Sequence, residues 1–288
     1  YTSGRTSNEA AFLYQLFVRK YGTNNLPDCS NMCHESSGVA LSETVGIGKG
    51  SVTLEDFDQA EVILILGQNP GTNHPRMLSA LEKAKKNGAK IIVVNPLREA
   101  ALVKFKNPQE VSGWIGSGTD IADIYLQLKI NQDVALFKAW MKLLLEVPLC
   151  LDDGFISSKT SGFEQLKTDL TSYSLDELIE STGLSKEQII ESAELLKSNN
   201  KIIACWAMGL TQHVNAVDNI REVVNLLLLK GSIGKPGAGT CPVRGHSNVQ
   251  GDRTMGIWER PTKEWTDQLK DTFGFQPPES PGYNVVEA

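Results

Sequence analysis

Residues 62–67 read Val62-Ile63-Leu64-Ile65-Leu66-Gly67, an unbroken apolar run that stops at a glycine. Such a run is typical of a strand that is buried on both faces of a parallel sheet. Residues 76–87 then have helical periodicity and end at a glycine, and Ile91-Ile92-Val93-Val94 is a second run of the same kind. Strand, helix and strand form a βαβ unit. We therefore predict an α/β fold built on a parallel sheet.

Other segments extend this pattern. Lys201 to Trp206 predicts a third strand, and helices are predicted over residues 133–145, after the capping-box residues Ser174 and Ser185, and before Gly231. We predict a loop over residues 21–35. After Gly231 the chain has too many glycines and prolines for regular structure, and its C-terminal part has little periodic pattern. A further helix is predicted over residues 8–20, where one face carries Phe12, Leu13, Leu16 and Phe17.

The composition narrows the class of protein. A net charge of -6 argues against a nucleic-acid partner, because neutralising phosphates requires a basic surface. No apolar stretch reaches the roughly 18–20 residues that a membrane span needs. Five cysteines, an odd number, do not resemble a secreted disulfide framework, so we predict a reducing, cytoplasmic location. The first residues read like the end of a strand, and we expect the chain to begin within a longer protein.

Polar residues follow each predicted strand. In open α/β sheets ligands bind beyond the carboxyl ends of the strands, so the turns at residues 67–75, 95–98 and 206–213 are candidate binding segments. Their amide and hydroxyl side chains suit a nucleotide, although ordinary strand-to-helix turns would explain them equally well. No G-x-G-x-x-G follows the first strand and no Walker A sequence is present, which argues against NAD and ATP.

Two further segments carry reactive groups. Residues 28–35 contain Cys29, Cys33 and His34, and a thiolate is a soft ligand for a transition metal. Buried thiols or a Cys29–Cys33 disulfide would explain the same cluster. Arg244 lies on a loop rich in glycine and amides, and its guanidinium could form two hydrogen bonds with an anionic substrate or a pyrophosphate. It could instead pair only with a surface carboxylate.

Several short motifs match one family in combination. They are Asn24-Asn25 leading to Cys33-His34, Gly67-Gln-Asn69-Pro70 followed by His74-Pro75, Asn-Gly-Ala-Lys-Ile-Ile at residues 87–92, Met208-Gly-x-Thr-Gln212, Gly234-Lys-Pro236, and Arg244-Gly-x-x-Asn-Val-Gln-Gly251. On these motifs the chain resembles the molybdopterin-dependent oxidoreductases, specifically formate dehydrogenase-like alpha subunits, over nearly its whole length. The resemblance implies the central part of the formate dehydrogenase/DMSO reductase-like fold, with doubly wound, mostly parallel sheets and flanking helices.

The resemblance also implies the roles of particular residues. Cys33 would be the protein ligand to molybdenum or tungsten, His34 would handle the proton, and Arg244 would orient the substrate. The guanine-binding acidic residue would be Asp133 and not Asp120 of Gly118-Thr119-Asp120. The residues expected to hold two molybdopterin guanine dinucleotides are Gly67, Asn69, Thr72, Asn95, Asp133, Met208, Gly209, Gln212 and His246.

In such proteins the core consists of two α/β units. By that resemblance, residues 28–244 would form a dinucleotide-binding-type domain, and residues 1–27 and 245–288 would be pieces of a second, incomplete domain. We expect an iron-sulfur region, with a [4Fe-4S] cluster, and a C-terminal domain to lie outside this sequence. The implied partners are these remaining domains and an electron-transfer partner that the sequence does not identify. The fragment alone is expected to be inactive.

The chain also departs from the family pattern. Glu35-Ser36-Ser37 replaces Gly-Pro-Ser, which adds a carboxylate near the substrate and argues against formate itself. His246 replaces a glutamine beside the pterin, and Asn95 and Leu97 replace an aspartate and an arginine at a guanine.

The function predicted from these features is two-electron redox chemistry on a small oxyanion. The alternatives are a non-catalytic scaffold subunit of the same fold, a nicotinamide-dependent dehydrogenase and a thiamine-diphosphate enzyme.

Overall fold

The computed structural model describes residues 4–288, which divide into two compact units. The larger unit runs from Ser36 to Val243, and the smaller unit combines the residues up to Glu35 with Arg244–Ala288. We expected the larger unit to cover residues 28–244. Residues 28–35 belong instead to the smaller unit, because Asp28 and Glu35 both pair with Arg253 of that unit.

A five-stranded parallel sheet forms the centre of the larger unit. Its strands are β1 (Val62–Leu66), β2 (Lys90–Val94), β5 (Ile124–Leu126), β6 (Ile202–Trp206) and β7 (Gly239–Pro242). They lie in the order β5-β2-β1-β6-β7. A separate antiparallel pair consists of β3 (Lys104–Phe105) and β4 (Thr119–Asp120). The parallel α/β class predicted from the sequence is confirmed.

The order of the strands decides where a ligand can bind. The chain first builds the sheet outward from β1 through β2 to β5, and then returns to the other side of β1 to form β6 and β7. The direction of winding therefore reverses between β1 and β6. In doubly wound folds the crevice at this reversal, beyond the carboxyl ends of the strands, is the usual ligand site.

Helices cover both faces of this sheet. Every residue of β1 is fully buried, with Leu64 and Leu66 in one apolar cluster and Ile63 and Ile65 in another. Burial on both faces explains why this strand is uniformly apolar. The described residues form these α-helices: α1 (Asn8–Tyr21), α2 (Glu35–Val45), α3 (Pro70–Asn73), α4 (Pro75–Lys86), α5 (Ala100–Val103), α6 (Val111–Ile115), α7 (Asp133–Leu145), α8 (Asp153–Lys159), α9 (Phe163–Thr171), α10 (Leu175–Thr182), α11 (Lys186–Ser198), α12 (Met208–Thr211), α13 (Ala216–Leu229), α14 (Val249–Thr254) and α15 (Lys263–Phe273).

The described residues of the smaller unit, 4–35 and 244–288, contain helices and turns and no strand. Helix α1 agrees with the predicted bounds to within a residue, but its polar side chains face inward. Gln15 and Arg19 are buried, whereas Leu13 and Phe17 are about two-thirds exposed. Arg19 holds this arrangement together, because its guanidinium donates to Asn24 Oδ1 at 3.1 Å and to Trp258 O at 2.9 Å.

Three predictions of irregular structure were wrong. The glycine-rich segment after Gly231 contains β7. On the outer edge of this strand, Thr240 O accepts a hydrogen bond from Ser51 N at 2.9 Å. The loop predicted over residues 21–35 contains a 3-10 helix at Cys29–Met32 and reaches the start of α2. The C-terminal part contains α15, which begins where Thr262 Oγ1 accepts from Trp265 N at 3.3 Å.

Both predicted capping boxes are confirmed. Ser174 and Glu177 exchange side-chain-to-backbone hydrogen bonds at the start of α10, as do Ser185 and Gln188 at the start of α11. Among the described residues, no helix is long and apolar enough to cross a membrane.

Candidate functional site

Two glycines meet at the carboxyl edge of the sheet. Gly67 follows β1 and Gly209 lies in α12, directly after β6, and Gly209 N donates to Gly67 O at 3.0 Å. A Cβ atom on Gly209 would lie only 2.5 Å from Gly67 Cα, and Gly67 itself has a left-handed φ of 53°. Side chains are therefore excluded here, which opens the edge of the sheet to a ligand.

A cavity of about 340 Å³ lies at this edge. Five of the residues predicted from the sequence line it: Gly67, Asn69, Asn95, Asp133 and Gly209. Its volume falls within the range of about 300–1,000 Å³ that is usual for small-molecule sites. The crevice expected from the strand order is thus present in the larger unit.

The sequence analysis missed some polar residues of this cavity. Glu99 lies outside the turns that were considered, and Gln68 and His213 lie inside them but were not proposed as binding residues. Asn131, two residues before Asp133, has a left-handed φ of 66°, which brings its turn to the cavity just before α7. Position directly after a strand would have found Gln68, but Glu99 lies beyond the turn that follows β2.

Three other predicted residues of the larger unit do not line the cavity. Thr72 lies in α3, where its N–H donates to Asn69 Oδ1 at 3.2 Å. Met208 is the first residue of α12 and Gln212 directly follows its last residue. Gln212 N donates to Met208 O at 3.0 Å. These residues hold the turns on either side of the cavity.

The amide side chains of the cavity also fix its walls. Asn69 Nδ2 donates to Glu99 Oε2 at 2.7 Å, and Asn95 Oδ1 accepts from Leu97 N at 2.9 Å. In contrast, Gln68 Oε1 is buried without a hydrogen-bond partner in the described part of the chain. A buried amide oxygen in this state is a suitable acceptor for a ligand donor.

Asp133 supplies the buried carboxylate of the cavity. It begins α7 and is 5% exposed, and burial raises its pKa to about 6, although its own backbone N–H and His213 oppose the rise. Asp120 is placed differently, because it lies on β4 and pairs with Lys104 at 3.2 Å. Only Asp133 of these two aspartates lines the cavity.

Cys33 and His34 lie in the smaller unit, in a turn over residues 28–35 that contains the 3-10 helix and ends at the start of α2. Asp28 starts this turn by accepting from Ser30 N at 3.2 Å, and Cys33 N donates to Ser30 O at 3.0 Å. Cys33 is 9% exposed and His34 is fully buried. The turn therefore keeps both side chains away from bulk water.

The two thiols of the turn are free rather than joined in a disulfide. Burial raises the pKa of Cys33, and the Gly245 N–H and the Arg244 guanidinium oppose that rise. Burial, together with Asp28 and Cys33, raises the pKa of Cys29 to about 11. Cys33 is therefore the thiol of this pair that has a cation, Arg244, favouring its ionised form.

Arg244 lies against the same turn. Its Nη1 is 3.5 Å from His34 O, the long limit for a hydrogen bond, and burial lowers its pKa. His246 and Cys29 both pack against Gly4. A Cβ atom added to Gly4 would lie 2.8 Å from Cβ of His246 and 2.9 Å from Sγ of Cys29, so these two side chains are close together. The structure therefore brings Cys33, His34 and Arg244 together within one unit.

The sequence analysis expected Glu35 to add a carboxylate near the substrate. In the structure this carboxylate is held in an ion pair. It pairs with both terminal nitrogens of Arg253, with Nη2 at 3.2 Å from Oε1. The sequence analysis missed Arg253, because a single arginine in a polar helix gives no signal of its partner. Among the described residues, no three His, Cys, Asp or Glu side chains are grouped to hold a metal ion by themselves.

Comparison with known proteins identifies the family to which this chain is similar. A family model described as molybdopterin oxidoreductase matches residues 1–257. The chain is 56% identical to an uncharacterized oxidoreductase of Mycobacterium tuberculosis over 293 residues, covering 100% of this chain and 38% of the relative. It is 49% identical to protein YdeP of Escherichia coli, over 99% of this chain and 39% of that protein.

Two further similarities are more distant. The chain is 34% identical to the alpha subunit of formate dehydrogenase 1 of Methanococcus maripaludis, over 89% of this chain and 36% of the subunit. Acetylene hydratase from Pelobacter acetylenicus has a similar structure, with a TM-score of 0.64 at 24% identity over 80% of this chain and 28% of the hydratase. The chain thus spans less than two-fifths of the length of each of these proteins.

Proposed function

The chain belongs to the molybdopterin oxidoreductase family, and we propose that it is the central part of a formate dehydrogenase-like enzyme that oxidises or reduces a small oxyanion by two electrons. The observation that carries this proposal is the buried turn in which Cys33 and His34 lie against Arg244. A cofactor of the bis(molybdopterin guanine dinucleotide) type, with molybdenum or tungsten, would supply the site that exchanges the electrons.

The residues of both units suit such a cofactor. Cys33 would be its one protein ligand to the metal, because a thiolate is a soft donor and because the described residues offer no larger ligand cluster. In the larger unit, the cavity with Gly67, Gly209 and Asp133 suits one guanine nucleotide end. A carboxylate can accept both N–H groups of the guanine edge. The walls of this cavity include Asn69 and Asn95. The turns beside it contain Thr72, Met208 and Gln212, and His246 would lie beside the pterin.

The chain's own groups account for binding and proton transfer. Arg244 would bind the oxyanion through its planar guanidinium, which matches carboxylate and similar anions. His34, adjacent to the thiol and shielded from bulk water, would hold or accept the proton at a ring nitrogen. Arg253 neutralises Glu35, so that carboxylate would not repel an anionic substrate.

Metal analysis of the full-length protein tests the ligand assignment. We expect Cys33→Ala to lower molybdenum or tungsten content by about tenfold or more, since lost ligands and their supports cost affinity on this scale. Cys150→Ala is the matched control, because Cys150 is also buried but lies in the larger unit. Wild-type metal content and turnover in Cys33→Ala would refute the assignment. No extractable pterin in the wild-type protein would favour a non-catalytic scaffold subunit.

A further inference from the structure

Arg253 makes contacts on both sides of the Cys33-His34 turn. Its Nη1 donates to Asp28 Oδ2 at 3.2 Å and to Ser30 Oγ at 2.8 Å, both before Cys33 in the sequence. The same guanidinium pairs with both carboxylate oxygens of Glu35, directly after His34. One side chain thus joins the two ends of the segment that carries the proposed metal ligand.

The contact with Asp28 is made where water screens it poorly, whereas the Glu35 side chain is 36% exposed. The Asp28 side chain is 2% exposed, and the Arg253 side chain is 30% exposed. The guanidinium lies over the ring of Trp258, with Cζ 5.0 Å from the ring centroid. Stacking and a two-pronged ion pair restrict the orientation of an arginine far more than one exposed ion pair does. Removal of Arg253 would also leave Asp28 as a buried carboxylate without its cation.

We propose that Arg253 is a positioning residue that holds the Asp28–Glu35 turn closed and thereby fixes Cys33 and His34. This inference rests on the proposed function in one respect: the placement of Cys33 and His34 matters for catalysis only if they have the roles proposed above. The contacts of Arg253 themselves involve no cofactor. Glu35 then acts as an anchor for the turn and not as a group that meets the substrate. Arg244 and Arg253 have separate tasks, with Arg244 beside His34 and Arg253 at both ends of the turn.

Geometry also predicts which replacements are tolerated. Lysine keeps the charge but offers a single point donor, so it can serve Asp28 or Glu35 but cannot bridge both as the planar fork does. Methionine keeps much of the length and none of the charge. We therefore expect the turn to be loosened slightly by Arg253→Lys and strongly by Arg253→Met.

Site-resolved alkylation of full-length, cofactor-free protein tests this proposal. Iodoacetamide labelling of Cys33 and Cys150 is followed by mass spectrometry in each variant, with Cys150 as the internal reference for global opening. We expect Arg253→Met to raise the labelling rate of Cys33 relative to Cys150 by about tenfold, because local opening becomes easier when the anchoring contacts are lost. Arg253→Lys should give an intermediate rate.

Arg260→Met is the matched control. Arg260 lies in the same unit and pairs with Glu287 at 3.7 Å, but it is more than half exposed and does not contact the turn in any described ion pair. We expect this variant to label like the parent. If Arg253→Met does not fold, Glu35→Gln replaces it, because this variant removes the charge at one end of the turn and leaves the Arg253–Asp28 pair in place.

An unchanged ratio of Cys33 to Cys150 labelling in folded Arg253→Met, or in folded Glu35→Gln, would overturn the proposal. Equal acceleration at both thiols would also overturn it, because a general loss of stability would then explain the result. The labelling uses no metal. A failed metal assignment for Cys33 is therefore distinguishable from a failed positioning role for Arg253.

Discussion

At the scale of single residues, burial decides how the charged groups of this protein behave. Asp133 and Asp120 are the two aspartates that the sequence offers for one role. Asp133 is 5% exposed in the cavity, whereas the Asp120 side chain is 73% exposed and pairs with Lys104. Desolvation disfavours the charged form of a buried carboxyl, and it raises the pKa of Asp133 to about 6.

Asp133 should make stability depend on pH. Its pKa of about 6 in the folded state exceeds the ordinary value of 3.8, so the folded protein holds this proton over a range where the unfolded chain has lost it. The contribution of Asp133 to stability should therefore fall as pH rises from about 4 to 6 and should change no further above that range. The full difference corresponds to about 3 kcal/mol.

Asp133→Asn removes that dependence. In the cofactor-free protein, we expect the variant to unfold at a higher temperature than the parent at pH 7.5, with a smaller advantage at pH 5. Thermal unfolding at several pH values measures this, and Asp120→Asn is the control for a simple change of charge. An advantage of Asp133→Asn that stayed constant with pH would contradict the explanation.

At the scale of elements, fully buried strands were easier to predict than edge strands. β1 and β6, and β2 after its exposed first residue Lys90, are continuous apolar runs because both of their faces are covered. β5 has only three residues, and β7 contains a glycine and a proline, yet both are held by parallel pairing to a neighbour. That pairing is a long-range contact, which local composition does not report.

The turns after β1 and β6 approach each other so closely that they should not tolerate a side chain. Gly209→Ala would place a Cβ atom 2.5 Å from Gly67 Cα and 2.7 Å from Gly67 O. We expect a loss of about 1–3 kcal/mol in the free energy of unfolding, as is usual for overpacking. Denaturant unfolding measures the loss.

Gly154→Ala is the control for this substitution. Gly154 lies in α8, and an added Cβ atom would meet nothing closer than Asp152 Oδ1 at 3.7 Å. Alanine should be neutral or stabilising there, because it has the higher helix propensity. Equal effects of the two variants would mean that the approach of the turns is unimportant.

At the scale of the whole molecule, the two units carry different parts of the proposed chemistry. The larger unit contains the cavity with Asp133, and the smaller unit contains Cys33, His34 and Arg244. The larger unit should therefore recognise a guanine nucleotide without any contribution from the metal ligand.

Binding of GDP to the cofactor-free protein tests this division. A ligand that binds only the folded state stabilises it by roughly 1.4 kcal/mol at ten times its dissociation constant. We expect GDP to raise the unfolding temperature in both the parent and Cys33→Ala, and ADP to have little effect. Asp133→Asn should weaken the response to GDP. A response that depended on Cys33 and not on Asp133 would contradict the assignment of the cavity.

The amino-acid sequence by itself determined the α/β class, the central strands, the capped helices and the family, because these features reside in local periodicity and in short motifs. It also named Cys33, His34 and Arg244, which the structure brings together in one unit. Only the tertiary structure decided that α1 turns Gln15 and Arg19 inward, and that Glu35 is paired with Arg253. Such outcomes depend on groups more than two hundred residues apart in the chain, and no local pattern encodes which of them will meet.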